Sequence, residues 1–252
     1  MTELSPELSR TTAHVVVALA DNKYYLAQRL AVWGVGAPTL ESAVACTAIA
    51  QEEAGHARGL YSLLEDFPRD VAPVPLEREH DRERKYVLSY LLEPTTSFVR
   101  GVAALALADR ACTVLLDAAS ASSMDGLRKR AIRILADEAF HRRYADGRLR
   151  ELAGLPALEH ELAALLPETL CWFGPPGEPG VEALVDAGVL SRRNEELRQT
   201  FVAQLAAVTE LVGVELPIAR DEDGTWTYPE LPWDKWSSLE RRLTATPATT
   251  RS

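Results

Sequence analysis

The sequence predicts an all-α protein whose main part is a four-helix bundle. Three observations support this prediction. Four long segments repeat their apolar residues with the period of an α-helix, the alternation typical of strands is scarce, and alanine is abundant. With 252 residues, of which 47% are apolar, the chain is long enough to bury one large core and to carry a smaller C-terminal part.

The first two predicted helices form a hairpin. The first helix covers residues 5–33 and is followed by two glycines, which commonly end helices. The second helix has Thr39 as its N-cap and continues to Phe67, where a proline stops it. A longer, proline-rich connection separates the second helix from the third. Such a connection matches the crossover of a ferritin-like bundle, so we expect that topology.

The third and fourth predicted helices complete the bundle. The third covers residues 81–120 with a bend at Pro94, and the charged segment 77–85 is interpreted as its solvated beginning. The fourth follows a Ser-Ser turn and continues to Leu152. Two short helices are expected after it.

A glycine- and proline-rich break at residues 174–180 separates the bundle from the C-terminal part. Beyond it we expect a helix at residues 192–212 and an irregular tail. The tail contains Trp226, Trp233 and Trp236, whose large apolar rings are expected to pack on the bundle. We therefore predict two units, a ferritin-like bundle at 1–173 and a helix with a tryptophan-rich tail at 174–252.

Charge and composition exclude several classes of protein. The net charge of −10 disfavours a nucleic-acid partner, because an acidic surface repels phosphates. The longest early apolar stretch, at residues 15–20, is too short to span a bilayer, and no basic segment precedes it as in a signal peptide. Three scattered cysteines fit a reducing compartment, so we expect a cytoplasmic protein without a membrane anchor.

The second and fourth predicted helices contain the same motif, Glu-x-x-His. It occurs as Glu53 with His56 and as Glu138 with His141. Residues three positions apart lie on one face of a helix, so each motif directs a carboxylate and an imidazole to one point. Two such motifs, together with a carboxylate from each of the other two helices, are typical of carboxylate-bridged pairs of metal ions. The alternative is that all four residues lie on the surface, as Glu and His often do.

The third predicted helix offers Asp109 as a further metal ligand. Its neighbours are apolar, and an ionised carboxylate in such surroundings is costly unless it is paired or bound to a metal. Arg110 is an alternative partner for Asp109. Glu138 follows Asp109 by 29 residues, and we favour the ligand role. Asp137, next to Glu138, is a candidate for orienting a ligating histidine through its second ring nitrogen.

The first predicted helix lacks a carboxylate at the position where the two-metal pattern requires one. Counting back 29 or 30 residues from Glu53 leads to Tyr24 or Lys23, and neither is an acid. Asp21 lies one turn from Tyr24 and is a candidate ligand, although it could instead orient a ligand or pair with Lys23. Lys23, at the ligand position of this helix, would either replace a metal ion electrostatically or coordinate one through a neutral amine. Tyr24 could donate a hydrogen bond or be oxidised, so Lys23 and Tyr24 are the candidate catalytic residues.

Residues 19–33 and 36–41 resemble the first helix, and the entry to the second helix, of the phenylacetic acid catabolic family. The similar positions include Asp21-Asn22, Gln28-Arg29-Leu30 and Trp33, and the resemblance extends over about residues 10–160. This family comprises ferritin-like subunits of the multicomponent phenylacetyl-CoA epoxidase. One kind is a catalytic di-iron oxygenase that binds an aryl-CoA thioester, and the other is a structural partner that has lost most metal ligands.

The resemblance implies a divergent member of the family. The residue pattern of the first helix is closer to that of the structural subunit. Lys23 stands where the catalytic subunit has a glutamate. Five other positions match the ligand pattern of the catalytic kind: Glu53, His56, Asp109, Glu138 and His141.

Together these features predict a non-haem di-iron monooxygenase that activates dioxygen and oxidises an organic substrate, with an aryl-CoA thioester as one candidate. The expected cofactor is two iron ions, with manganese as an alternative. No dinucleotide fingerprint or cysteine-rich cluster motif is present, so a separate reductase is implied. We also expect the bundle to associate with another bundle, in a homo- or hetero-oligomer.

Three other functions remain open at the level of sequence. The chain could be a non-catalytic structural partner of an oxygenase, or a ferritin-like protein that stores or oxidises metal without an organic substrate. It could also modify itself, with Tyr24 or Lys23 as the oxidised group.

Overall fold

The computed structural model describes residues 5–94 and 97–244. These residues form a mostly helical structure, which confirms the all-α, ferritin-like prediction. In chain order its helices are α1 (Pro6–Val35), α2 (Leu40–Tyr61), α3 (Ser89–Leu92), α4 (Phe98–Ala119), α5 (Asp125–Leu152), α6 (Pro156–Trp172), α7 (Pro179–Asp186) and α8 (Asn194–Val212).

Short strands occur in the described part of the tail. They form two antiparallel ribbons, in which Ala219 pairs with Thr227 and Trp236 pairs with Leu243. The strands are β1 (Ala219–Arg220), β2 (Trp226–Thr227), β3 (Trp236–Ser237) and β4 (Arg242–Leu243).

The bundle consists of α1, α2, α4 and α5. Helix α1 packs along α2, α4 packs along α5, and the two hairpins meet through α1 with α4 and α2 with α5. Thr39 caps α2 as the sequence predicts, because its hydroxyl accepts a hydrogen bond from the Ser42 amide. Helix α2 gives way to a 3₁₀ turn, Ser62–Asp66, that reaches almost to the predicted end. Among the described residues, no helix combines the length and apolar character needed to cross a bilayer.

The third bundle helix is shorter than the sequence predicts. Helix α4 begins at Phe98, and residues 77–85 form turns and irregular backbone, so the prediction of one helix over 81–120 is wrong. One reason is that α1 binds the backbone directly after this segment, at Tyr86 and Leu88. The Asn22 side chain accepts from the Leu88 amide at 3.0 Å and donates to the Tyr86 carbonyl at 3.0 Å, and Asp21 accepts from the Tyr86 amide at 3.0 Å.

Asp21 also pairs with a guanidinium from this segment. The buried Arg82 donates to the Asp21 carboxylate, which in addition accepts from the Tyr61 hydroxyl at 2.8 Å. The charged segment is mostly exposed, as expected, but Arg82 is buried. Asp21 therefore anchors the connection between the two hairpins.

We expect the substitution Asp21→Asn to lower the free energy of unfolding by about 3 kcal/mol, because it leaves the buried Arg82 guanidinium without its counter-charge. Urea denaturation followed by circular dichroism measures the loss. The exposed Asp70 provides the matched control, Asp70→Asn, which should change stability by less than about 0.5 kcal/mol. Equal losses in the two variants would contradict an anchoring role for Asp21.

The C-terminal elements contact the bundle at several places. Helix α6 packs on α4, α7 packs on α1, and α8 packs on α4 and α5. Trp226, Trp233 and Trp236 are partly buried against the hydrophobic core. Helix α6 has 17 residues and is longer than the short helix expected there. The predicted division at residue 174 stays a prediction.

Candidate metal centre

Six side chains from the four bundle helices converge in the middle of the bundle. All six are buried, and the most exposed of them, His56, has 7% of its surface accessible. We call them the central cluster: Lys23 on α1, Glu53 and His56 on α2, Asp109 on α4, and Glu138 and His141 on α5.

The ammonium group of Lys23 lies among the three carboxylates of the central cluster. Its Nζ is 2.5 Å from Asp109 Oδ1, 2.6 Å from Glu138 Oε1 and 3.0 Å from Glu53 Oε1. The Lys23 side chain has no exposed surface, so solvent contributes nothing to balancing its charge. Lys23 is thus the common counter-ion of the carboxylates on the other three helices.

The imidazoles of His56 on α2 and His141 on α5 both face the carboxylates of Glu53 and Glu138. His56 Nδ1 is 3.5 Å from Glu53 Oε2 and 3.5 Å from Glu138 Oε1. His141 Nδ1 is 3.3 Å from Glu53 Oε1 and 3.7 Å from Glu138 Oε2. Both Nδ1 atoms and Glu53 Oε2 are buried without a hydrogen-bond partner. Buried polar atoms normally have a hydrogen-bond partner, so these three unpartnered atoms are suited to coordinate a bound ion.

The outer nitrogen of each imidazole is held by a carboxylate from the opposite helix. His141 Nε2 is 2.7 Å from Glu52 Oε2, and His56 Nε2 is 3.2 Å from Asp137 Oδ2. Such a contact orients the ring and leaves Nδ1 directed inward. The sequence carried a signal for this arrangement, since each Glu-x-x-His motif is preceded by a second acid. It did not show that each acid contacts the histidine of the other helix.

Thr113 is a member of the site that the sequence analysis missed. Its hydroxyl lies 2.9 Å from Glu138 Oε2 and 2.9 Å from the Asp109 carbonyl oxygen. Thr113 lies one turn after Asp109 on α4 and therefore on the same face. That spacing was the available signal.

The electrostatics of the central cluster follow from its burial and from the charges close to one another within it. Burial by itself lowers the pKa of Lys23, but the carboxylates, Asp109 foremost, raise it well above its usual range. Burial and the charge of Glu138 raise the pKa of Asp109 well above its usual range. Despite burial, the nearby carboxylates of Glu138 and Glu53 raise the pKa of His141 to about 11. The pKa values of the cluster are thus set by burial and by the charges of its own members.

A comparison with known protein families agrees with this geometry. The family model described as phenylacetic acid catabolic protein matches residues 2–245. The chain belongs to the phenylacetic acid catabolic protein family. This finding confirms the resemblance inferred from residues 19–41. No curated protein matches the chain.

This phenylacetic acid catabolic family member has donors that suit a metal ion. Glu53, His56, Glu138 and His141 each offer a ligand atom, and these atoms lie within 4.8 Å of one another. Carboxylate oxygens and imidazole nitrogens together suit iron, manganese and zinc. The unpartnered Nδ1 atoms and Glu53 Oε2 support the fit. The cluster could thus hold metal, and the first-helix position contains Lys23 in place of a carboxylate.

The structure places two candidate residues outside the central cluster. The Asp21 carboxylate is occupied by Arg82, Tyr61 and the Tyr86 amide, and burial raises its pKa to about 6. Tyr24 is partly buried, and its ring contacts Tyr25 and Tyr61 at centroid distances of 5.8 and 6.5 Å. None of these contacts of Asp21 and Tyr24 involves a member of the central cluster. Lys23, in contrast, contacts three of its carboxylates.

A groove between α2 and α5 leads from the surface to His56. It has a volume of about 540 Å³ and is lined in part by Glu52, Gly55, His56, Gly59, Ile134 and Asp137. A Cβ atom built on Gly55 or on Gly59 would meet nothing within 4 Å, so the two glycines leave this wall of the groove open. The groove reaches His56 on the side where Asp137 holds its outer nitrogen.

We expect Glu52→Gln and Asp137→Asn each to weaken metal binding about 10- to 100-fold, because each removes the carboxylate that orients a histidine. Titration calorimetry with ferrous iron under anaerobic conditions measures the change. The exposed Glu7 offers a matched control, since Glu7→Gln lies at the beginning of α1. Wild-type affinity in both outer-carboxylate variants would contradict the orienting role.

Proposed function

We propose that this protein is a metal-dependent oxygenase that uses dioxygen to oxidise an organic substrate. One observation carries the proposal: two buried imidazoles direct unpartnered Nδ1 atoms at the shared carboxylates Glu53 and Glu138. Membership of the phenylacetic acid catabolic family supports the same reaction class. Iron is the proposed metal, with manganese as the alternative.

Each part of the bundle has a role in this proposal. Glu53, His56, Glu138 and His141 would hold the metal, with Asp109 beside them. The bound metal would pass to dioxygen the electrons that a reductase delivers. Glu52 and Asp137 keep the imidazoles oriented, and the apolar interior of α4 excludes water from the reacting groups.

The groove at His56 is the proposed route for the substrate. Its rim contains Lys129, Arg130 and Arg133. Lys129 pairs with Asp125 and Arg130 donates to the Gly59 carbonyl, whereas Arg133 makes no ion pair within the described residues. A cationic rim suits a substrate with an anionic group, and an aryl-CoA thioester has this character. Electrons would come from a separate reductase, and a second bundle is a proposed partner.

Isotopically labelled dioxygen tests this proposal directly. The iron-loaded protein, reduced chemically, is mixed with labelled dioxygen and a series of aryl-CoA thioesters, and the products are analysed by mass spectrometry. We expect one labelled oxygen atom in the product. An oxidised product without label, or consumption of dioxygen that does not depend on the substrate, would contradict the oxygenase proposal.

A second candidate function is a non-catalytic partner subunit. The observation that favours it is Lys23, because its ammonium contacts all three carboxylates of the central cluster and balances part of their charge. A partner subunit would bind no stoichiometric metal after anaerobic reconstitution with ferrous iron and would co-purify with a second bundle. Metal content after reconstitution therefore separates the two candidates.

A further inference from the structure

We propose that the central cluster binds one divalent metal ion and that the Lys23 ammonium takes the place of a second one. The inference rests on the proposed function in one respect, since both require that the cluster binds metal. It differs from the two-metal expectation in the number of ions and in the role of Lys23, which becomes a permanent structural cation of the site.

Charge balance is the first argument. A bound metal requires unprotonated ligands, so the carboxylates of Glu53, Asp109 and Glu138 then carry three negative charges and the imidazoles are neutral. The Lys23 ammonium and one divalent cation neutralise these charges completely. A second divalent cation would leave an excess of positive charge in a cluster with almost no solvent contact, which is strongly unfavourable.

The distribution of contacts is the second argument. Lys23 Nζ contacts one oxygen of each carboxylate: Glu53 Oε1, Asp109 Oδ1 and Glu138 Oε1. The buried donors without a hydrogen-bond partner are Glu53 Oε2, His56 Nδ1 and His141 Nδ1. One oxygen of each carboxylate thus contacts the ammonium, and Glu138 Oε2 accepts from Thr113. The three unpartnered atoms that remain suit one ion.

The connectivity of the helices is the third argument. Helices α2 and α5 provide all four residues whose donor atoms lie together, whereas α1 contributes the cation. An acid at position 23 would add a fourth carboxylate and remove the ammonium, so both the charge and the donor count would then allow a second ion. The substitution Lys23→Glu should convert the site from one ion to two.

The experiment measures bound metal per chain. Wild-type protein and the Lys23→Glu variant are stripped with chelator, dialysed anaerobically against ferrous iron and, separately, manganous ion, and analysed for metal. We expect one ion per wild-type chain and two per variant chain. Lys235→Glu, which makes the same charge change at an exposed position of the tail, is the control and should bind one ion.

Electron paramagnetic resonance of the wild-type protein loaded with manganous ion tests the inference even if the Lys23→Glu variant does not fold. One isolated ion in the wild-type protein gives an uncoupled hyperfine spectrum, whereas two adjacent ions give an exchange-coupled one. A wild-type stoichiometry of two with a coupled spectrum would overturn this inference and leave the proposed function standing. Absence of bound metal from the wild-type protein would overturn both.

Discussion

The double substitution Glu53→Ala, His141→Ala is expected to abolish stoichiometric metal binding. The two residues supply two of the four clustered ligand residues, and Glu53 also faces both imidazoles. Elemental analysis after anaerobic reconstitution measures the loss. In addition, metal at about 100 times its dissociation constant stabilises a folded protein by about 2.7 kcal/mol. For a chain of this size each kcal/mol raises the Tm by about 2–4 °C, so metal should stabilise the wild type and not the variant.

A matched double variant separates ligand loss from general damage. Glu7→Ala, His160→Ala removes the same two residue types at exposed positions and should retain both the metal and the metal-dependent increase in Tm. If the Glu53, His141 variant bound as much metal as this control, the ion would have to be held elsewhere, and the central cluster would not be the metal centre.

Replacing Lys23 by methionine is expected to lower the free energy of unfolding of the metal-free protein by about 3–5 kcal/mol. Methionine fills a similar volume but leaves the carboxylates of Glu53, Asp109 and Glu138 buried without their shared counter-ion. Urea denaturation in the presence of chelator measures the loss. A divalent metal should restore part of the stability, because it supplies the missing positive charge.

The exposed Lys235 provides the control for this variant. Lys235→Met removes an ammonium without removing a buried counter-ion and should change stability by less than about 0.5 kcal/mol. If Lys23→Met were as stable as the wild type in chelator, the carboxylates would have to be neutralised by protons. Lys23 would then have no structural role as a cation.

The helical architecture was largely predictable, because it depends on local patterns. The apolar period and the caps predicted the bundle helices. Thr39 is the N-cap of α2 and Gly36 follows the last residue of α1, whereas Gly34 lies inside α1. The beginning of the third helix was not predictable. Residues 77–88 are charged and then apolar, as a helix could be, but Asp21 and Asn22 of another helix bind the backbone of Tyr86 and Leu88. A hydrogen bond between residues 65 positions apart in the chain produces no periodic pattern in the sequence around either residue.

The site was predictable to the extent that it depends on spacing along one helix. The repeated Glu-x-x-His motif predicted which carboxylates and imidazoles share a face. Counting 30 residues back from Glu53 pointed to Lys23, and in the structure Lys23 Nζ lies 3.0 Å from Glu53 Oε1. The same reasoning left Asp21 open as a ligand. Its partner Arg82 lies in a segment whose course the sequence did not reveal.

The sequence by itself determined the helical class, the residue types of the central cluster and the departure at position 23. These properties follow from periodicity and from three- and four-residue spacings, which are local. Only the tertiary structure decided that the Lys23 ammonium contacts all three carboxylates, that Glu52 and Asp137 cross to the opposite histidines, and that Asp21 is an anchor. Each of these depends on the rotation and separation of helices against one another, which the packing of distant side chains establishes.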